Sequence, residues 1–153
     1  MPDGLPNSPW SAARASEIIA AGAGGAGALL PLLHALQAEF GCVPDAAVPL
    51  LASALNLSRA EVHGVLTFYH DFRRTPVEGH LVRLCRAEAC QARGGREVEA
   101  TLKAALEIDA GVTLEAVYCL GLCASGPAAL VNGKPVARLH GARLTQLIEA
   151  LRT

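Results

Sequence analysis

The sequence predicts an α+β protein in which an N-terminal helical bundle precedes a β-α-β-β-α domain. Three observations lead to this fold class. The apolar fraction is 52 % and consists largely of Ala and Leu, which favour packed helices, whereas aromatic residues make up only 4 %. Apolar residues recur at helical spacing in the first half, and the spacing becomes strand-like after "RRTPVEG". A length of 153 residues accommodates one ordinary domain or two small ones.

The first half divides into a terminal segment and a bundle. Residues 1–14 are rich in Pro, Ser and Asn and are expected to be disordered, whereas residues 15–76 are expected to form the helical bundle. Asp45 is expected to cap the third helix, and Ser58 with Glu61 fits a capping box at the start of the fourth. The apolar periodicity predicts four helices, over 15–21, 28–40, 45–55 and 58–69. The predicted apolar stripe of the last helix consists of Val62, Val65, Leu66 and Tyr69.

Residues 80–153 are expected to form the second domain. The segments "HLVRLC" and "TLEAVYC" are predicted to be strands, and "GREVEATLKAALEI" between them is predicted to be a helix. Asn132 and Gly133 suit the two-residue type I′ turn of a β-hairpin. A final amphipathic helix is predicted over 142–151. The inward positions of the first helix in this domain are Val98, Leu102 and Leu106.

Four of the five cysteines stand as two close pairs in this second domain. Cys85 and Cys90 form a C-x4-C pattern, and Cys119 and Cys123 form a C-x3-C pattern. A strand, helix and strand with a short crossover make a parallel pair, whose carboxyl ends lie on one edge of the sheet. Cys85 and Cys119 end the two predicted strands, and their partners follow in the adjoining loops. Four thiols are therefore expected to converge.

Several kinds of site use converging thiols. Structural zinc sites usually have tight C-x-x-C patterns, dithiol redox enzymes require them, and disulfides are rare in a reducing compartment. Neither loop supplies the histidines of a Rieske centre. A [2Fe–2S] cluster with four cysteine ligands needs a wider site than a single metal ion does. The glycines of these loops suit such a site. The pattern therefore favours the cluster, while zinc and two disulfides stay as alternatives. The glycines concerned are Gly94, Gly95, Gly121 and Gly126.

The motifs resemble a known family. C-x4-C followed by C-L-G-x-C, behind a helical segment containing "GVLTFY", is similar to the thioredoxin-like [2Fe–2S] subunit of NADH dehydrogenases and related NAD-linked enzymes. The resemblance extends from about residue 15 to the C-terminus. It implies a helical bundle joined to a thioredoxin-like domain, and a partner subunit that binds FMN and NAD(H). It also implies one [2Fe–2S] cluster with four ligands, Cys85, Cys90, Cys119 and Cys123.

The residues of the second cysteine motif indicate which type of complex the chain resembles most. "CLGLCASGPA" is most similar to the gamma subunit of molybdenum-containing, NAD-dependent formate dehydrogenase, which converts formate and NAD+ to CO2 and NADH. That resemblance implies a larger partner subunit with a molybdenum cofactor. The alternatives are the small subunit of NADH:quinone oxidoreductase or of an NAD-linked hydrogenase diaphorase, and less so a zinc-stabilised interaction module. Cys42 departs from the family pattern and is expected to be a buried spare thiol.

Other function classes find little support in the sequence. The formal net charge of −1 gives no basic surface for nucleic acid or an anionic membrane. The residues "GAGGAG" match the G-x-G-x-x-G pattern of dinucleotide-binding proteins. That pattern functions only after a strand, and no strand is predicted before these residues. No catalytic triad or paired carboxylates stand out, so an electron-transfer subunit without catalytic residues is expected. Because no signal peptide or membrane-length apolar run is found, a cytoplasmic protein is expected. The cations expected to offset the charge of a cluster are Arg83, Arg86 and Arg93.

Overall fold

The structure is a computed structural model that describes residues 8–106 and 111–152. The chain divides into two compact units, which we call the helical unit (Pro6–Val77) and the sheet unit (Glu78–Thr153). The division falls between the predicted bundle, 15–76, and the predicted second domain, 80–153. Within the described residues, no helix combines the length and apolarity needed to cross a membrane.

The helical unit contains the four predicted helices. They are α1 (Ala12–Gly22), α2 (Leu29–Phe40), α3 (Ala47–Leu55) and α4 (Arg59–Phe68). The first begins three residues earlier than predicted, because the Ser11 hydroxyl accepts a hydrogen bond from the Arg14 N–H at 3.3 Å and caps it. Residues 12–14 are therefore helical rather than disordered. Residues 1–7 of the predicted disordered segment lie outside the described residues.

The ends of the helices show which local signals predict a helix boundary correctly. The capping box of Ser58 and Glu61 is present, with the Ser58 N–H donating to the Glu61 carboxylate at 2.8 Å. The prediction that Asp45 caps α3 is wrong. The helix begins only at Ala47, and the Asp45 carboxylate forms an ion pair with Arg74 instead. A long-range charge partner thus replaces the local cap.

Apolar faces of the four helices form the core of the helical unit. Val62 and Leu66 are buried as predicted, but Tyr69 is 43 % exposed because α4 ends at Phe68 and the helical periodicity stops there. Phe72 fills the core and packs on His34, with ring centroids 4.9 Å apart. The other large core side chains are Ile19, Leu32, Leu33, Leu36, Phe40, Val48 and Leu51.

The sheet unit contains four strands and three α-helices among its described residues. In chain order these are β1 (His80–Cys85), α5 (Glu88–Ala92), α6 (Gly95–Leu106), β2 (Val112–Val117), β3 (Ala128–Val131), β4 (Lys134–Ala137) and α7 (Ala142–Leu151). The strand order is β2-β1-β3-β4, with β1 parallel to β2 and antiparallel to β3. The predicted β-α-β-β-α order is confirmed, with α5 as an addition that the sequence did not predict.

The bounds of β2 differ from the prediction, and those of α6 can be compared only at the residues that the structure describes. β2 runs over 112–117 rather than 113–119, so Cys119 follows the strand by two residues instead of ending it. The predicted end of α6 at residue 108 lies outside the described residues. Val98, Leu102 and Leu106 of α6 are buried as predicted, and they pack with apolar residues of β1 and α7.

The hairpin between β3 and β4 has the predicted turn. Asn132 and Gly133 have φ of 48° and 80°, and a type I′ turn requires positive φ at both central residues. The Asn132 side-chain oxygen also accepts a hydrogen bond from the Leu81 N–H at 2.8 Å. The turn therefore holds the beginning of β1, the strand that leads to the first cysteine.

Candidate functional site

The structure places the four cysteines at the carboxyl ends of the parallel pair β1 and β2. Cys85 is the last residue of β1, and Cys90 lies in the short helix α5 rather than in a loop. Cys119 lies in the loop after β2, and Cys123 begins a 3₁₀ turn before β3. Cys85 and Cys90 are buried, whereas Cys119 and Cys123 are exposed. One pair therefore faces the protein interior and the other faces solvent.

The thiols lie as two pairs, and Cys85 of the first pair also contacts the loop of the second. The Sγ atoms of Cys119 and Cys123 are 3.9 Å apart, close to the separation of about 3.8 Å for two thiolates on one tetrahedral metal with 2.3 Å bonds. The Cys90 thiol donates to Cys85, and Cys85 also accepts hydrogen bonds from the backbone N–H groups of Cys119 and Leu120. The structure thus brings Cys85 next to the loop that carries the second pair. Among the described residues, no three His, Cys, Asp or Glu side chains gather in the arrangement of a single-ion site.

The pKa values of the two buried thiols are shifted in opposite directions. Burial by itself raises the pKa of the Cys85 thiol, but hydrogen bonds from the Ala87 N–H, the Cys90 thiol and the N–H groups of Cys119 and Leu120 outweigh it and lower that pKa. The pKa of Cys90 is raised by burial and by its hydrogen bond to Cys85. Cys85 is therefore the thiol of this pair that ionises first.

The exposed pair also resists double ionisation. The pKa of Cys123 is raised, first by its hydrogen bond to Cys119 and then by the nearby charge of Cys119 and by desolvation. Neighbouring thiolates repel each other when no cation lies between them. A bound metal removes this repulsion and releases the protons, so thiols that are hard to ionise together still suit a metal or cluster.

Two glycines bring other elements into close contact with Cys90. A β-carbon built on Gly126 would lie 3.1 Å from the Cys90 Sγ, and one on Gly95 would lie 2.7 Å from the Cys90 carbonyl oxygen. Gly94 and Gly121 instead have φ of 90° and 74°, values that side chains rarely adopt. Gly95 and Gly126 therefore allow close approach of the chain, whereas Gly94 and Gly121 allow it to reverse direction.

The arginines near the first cysteine pair have different partners. Arg86 forms two hydrogen bonds of 2.8 Å with the Glu99 carboxylate, which also contacts Lys103 at 2.6 Å. Arg93 instead donates through Nη1 to the Ala124 carbonyl oxygen at 3.0 Å, in the loop of the second cysteine pair. The sequence pointed to both arginines, but local patterns could not reveal these partners because they lie 13 and 31 residues away.

The remaining cysteine, Cys42, belongs to the helical unit. Cys42 is buried just after the end of α2, with 5 % of its surface exposed, and burial raises its pKa. The sequence expectation of a buried thiol is confirmed. A thiol that is held in its neutral form is a poor metal ligand and a poor nucleophile.

Four thiols at the carboxyl ends of a parallel strand pair are typical of small domains that hold a metal or a cluster through cysteines. Residues 15–152 match the family described as "Thioredoxin-like [2Fe-2S] ferredoxin". The chain belongs to this family, whose cofactor is a [2Fe–2S] cluster. The resemblance found in the sequence motifs is thereby confirmed.

Curated relatives and solved structures agree with this family. The chain is 32 % identical over 129 residues to a subunit of NADH-quinone oxidoreductase from Escherichia coli K12, covering 80 % of this chain and 78 % of that protein. It is 31 % identical to the corresponding protein of Pseudomonas aeruginosa, with the same coverage. A crystal structure of NAD+-reducing [NiFe]-hydrogenase in the H2-reduced state matches 80 % of this chain, with a TM-score of 0.69 and 29 % identity. This chain spans only 22 % of that hydrogenase chain.

Proposed function

We propose that Cys85, Cys90, Cys119 and Cys123 bind one [2Fe–2S] cluster, and that the chain transfers electrons as a subunit of an NAD-linked oxidoreductase. The observation that carries the proposal is the arrangement of the thiols as two adjoining pairs. The 3.9 Å separation of Cys119 and Cys123 suits two ligands of one iron. The contacts of Cys85 with the backbone of residues 119 and 120 bring the second pair beside it.

The protein residues around the thiols fit a negatively charged cluster. A [2Fe–2S] cluster accepts and returns one electron, and hydrogen bonds to its sulfurs help to set its potential. Cys85 accepts three backbone N–H bonds, from Ala87, Cys119 and Leu120, and Cys90 accepts one from Ala128. These donors stabilise thiolate charge in the buried half of the site. The exposed Cys119 and Cys123 leave the other half open toward a partner.

The relatives favour one kind of parent complex. NADH-quinone oxidoreductase subunits and an NAD+-reducing hydrogenase support the alternatives named from the sequence better than they support formate dehydrogenase. We therefore propose a complex that oxidises NADH or reduces NAD+, with a flavoprotein partner that binds FMN and NAD(H). Formate dehydrogenase stays a second candidate, with a molybdenum subunit as an additional partner, because of the motif "CLGLCASGPA". A cytoplasmic location stays a prediction.

The first experiment tests the cofactor. Protein purified without oxygen should contain about two irons and two acid-labile sulfides per chain, and it should absorb visible light. Reduction by one electron should produce an electron paramagnetic resonance signal. Stoichiometric zinc with no labile sulfide would identify an interaction module instead and would overturn the proposal.

The second experiment tests the parent complex. The chain is tagged in its native cell, and the subunits that purify with it are identified. A flavoprotein subunit should be present in every version of the proposal. NADH:quinone, hydrogen:NAD+ and formate:NAD+ activities of the isolated complex then distinguish the three candidates. Isolation of the chain without a flavoprotein would indicate a free-standing ferredoxin.

A further inference from the structure

We infer that Arg93 is a positioning residue that ties the two cysteine pairs together and places a positive charge beside them. This inference rests on the proposed function, since it concerns the cluster that the four thiols bind. It goes beyond that function because it assigns a role to a residue that is not itself a ligand.

The hydrogen bonds of Arg93 connect the segments that carry Cys90 and Cys123. Its backbone N–H donates to the Cys90 carbonyl at 3.2 Å, so Arg93 is fixed to the end of α5. Its guanidinium donates through Nη1 to the carbonyl of Ala124, the residue after Cys123, at 3.0 Å. One residue thus links a ligand of the buried pair to the neighbour of a ligand of the exposed pair.

The stem of Arg93 packs at the same place as the Cys90 thiol. A β-carbon on Gly126 would lie 3.5 Å from Arg93 Cδ and 3.1 Å from Cys90 Sγ. Both side chains therefore lie over the bare face of Gly126. The guanidinium extends from there to the Ala124 carbonyl oxygen in the second cysteine loop.

Arg93 differs from Arg86 and Arg96 in the partner of its guanidinium. The charge of Arg86 is offset by the Glu99 carboxylate, and Arg96 donates to the neutral Gln91 side chain within its own segment. Arg93 also donates to a neutral group, but that group belongs to the opposite cysteine loop. A cation whose charge is not offset by a bonded carboxylate favours the more negative state of a nearby group, so it favours the reduced cluster.

The test uses the full-length chain with its cluster and three variants, Arg93→Gln, Arg93→Lys and the control Arg96→Gln. The two glutamine variants change the net charge equally, and only the first loses the link to Ala124. Redox titration followed by electron paramagnetic resonance measures the potential, and loss of visible absorption in a chelator measures cluster release. We expect Arg93→Gln to shift the potential to more negative values and to release the cluster about threefold to tenfold faster.

The expected order of the variants' effects distinguishes a positioning role of Arg93 from a general effect of surface charge. Arg93→Lys keeps the charge without the guanidinium geometry, so it should keep most of the potential but release the cluster faster than the wild type. Arg96→Gln should resemble the wild type in both measurements. Equal effects of Arg93→Gln and Arg96→Gln on potential and release would overturn the inference while leaving the cluster assignment intact. A wild-type chain without iron and sulfide would instead overturn the proposed function itself.

Discussion

Gly126 lies directly against the thiol of Cys90: a β-carbon on Gly126 would stand 3.1 Å from Cys90 Sγ and 3.6 Å from Cys90 Cα. Gly126 precedes β3, whereas Cys90 belongs to α5. The contact therefore fixes α5 against the chain that follows the second cysteine loop. Because Cys90 is proposed to be a ligand, its thiol has little freedom to move away from an added methyl group.

Substitution of Gly126 by Ala should weaken cluster binding. The methyl group forces either the Cys90 thiol or the backbone to shift, and overpacking of this kind costs about 1–3 kcal/mol. We expect less iron per chain and a lower thermal midpoint, measured by iron analysis and circular dichroism. Gly111→Ala is the matched control, because a β-carbon there meets none of the described residues within 4 Å. Equal iron content in the two variants would contradict the close-contact argument.

Single substitutions of the four site cysteines by Ser should abolish or strongly reduce visible absorption. An alkoxide is a poorer match than a thiolate for iron in a cluster. Cys42→Ser provides the control, since Cys42 lies in the helical unit and is buried. It should retain the absorption spectrum of the wild type. Bleaching by Cys42→Ser, together with an unchanged spectrum in one of the four site variants, would refute the ligand assignment.

The ion pairs of Glu99 should make the stability of the sheet unit depend on pH. Lys103 contributes most to lowering the pKa of Glu99, burial opposes it, and Arg86 lowers it further. A carboxyl with a lowered folded-state pKa stabilises the fold fully above its ordinary pKa, and this stabilisation is lost as the pH falls through the lowered value. Glu99→Gln should therefore cost roughly 0.2–1 kcal/mol at pH 7 and less at pH 3.

Urea unfolding of the metal-free chain at several pH values measures this difference. Glu97→Gln is the control, because Glu97 is an exposed acid in the first turn of the same helix. Its effect should be smaller at pH 7. A Glu99→Gln variant whose stability loss is the same at pH 3 and pH 7 would show that lost packing, rather than lost charge, is responsible.

The exposed aromatic residues of the helical unit should contribute to binding of the flavoprotein partner. Phe68 is 72 % exposed, and its ring centroid lies 5.1 Å from that of Tyr69. Exposed aromatic side chains are common anchors of interfaces. Replacement of both by Ala should weaken capture of the flavoprotein by the tagged full-length chain, without loss of visible absorption. His63→Ala, an exposed change in the same helix, should leave capture unchanged. Full capture by the double variant would rule out this docking role.

The same residues show how far the sequence could predict the helical unit. The structure places Phe68 on the surface and Phe72 in the core. Periodicity could not decide this, because α4 ends at Phe68 and the following residues leave the helical spacing. The capping box of Ser58 and Glu61 was predictable, since both partners lie within one helical turn.

By itself, the sequence determined the features that depend on nearby residues. The helices of the bundle, the Asn132–Gly133 turn and the two cysteine pairs follow from periodicity, turn chemistry and spacing over a few residues. The parallel pairing of β1 and β2 was also predictable, because a strand–helix–strand crossover has few alternatives. Together these features brought Cys85 and the second cysteine loop to one edge of the sheet.

Only the tertiary structure decided which groups surround the thiols. The N–H bonds from Cys119 and Leu120 to Cys85, the contact of Gly126 with Cys90 and the link from Arg93 to Ala124 all join segments that are distant in the chain. Such contacts depend on how the loops fold back over the sheet edge. Local patterns carry no information about that path, so the two cysteine pairs could be recognised in the sequence whereas the groups that surround them could not.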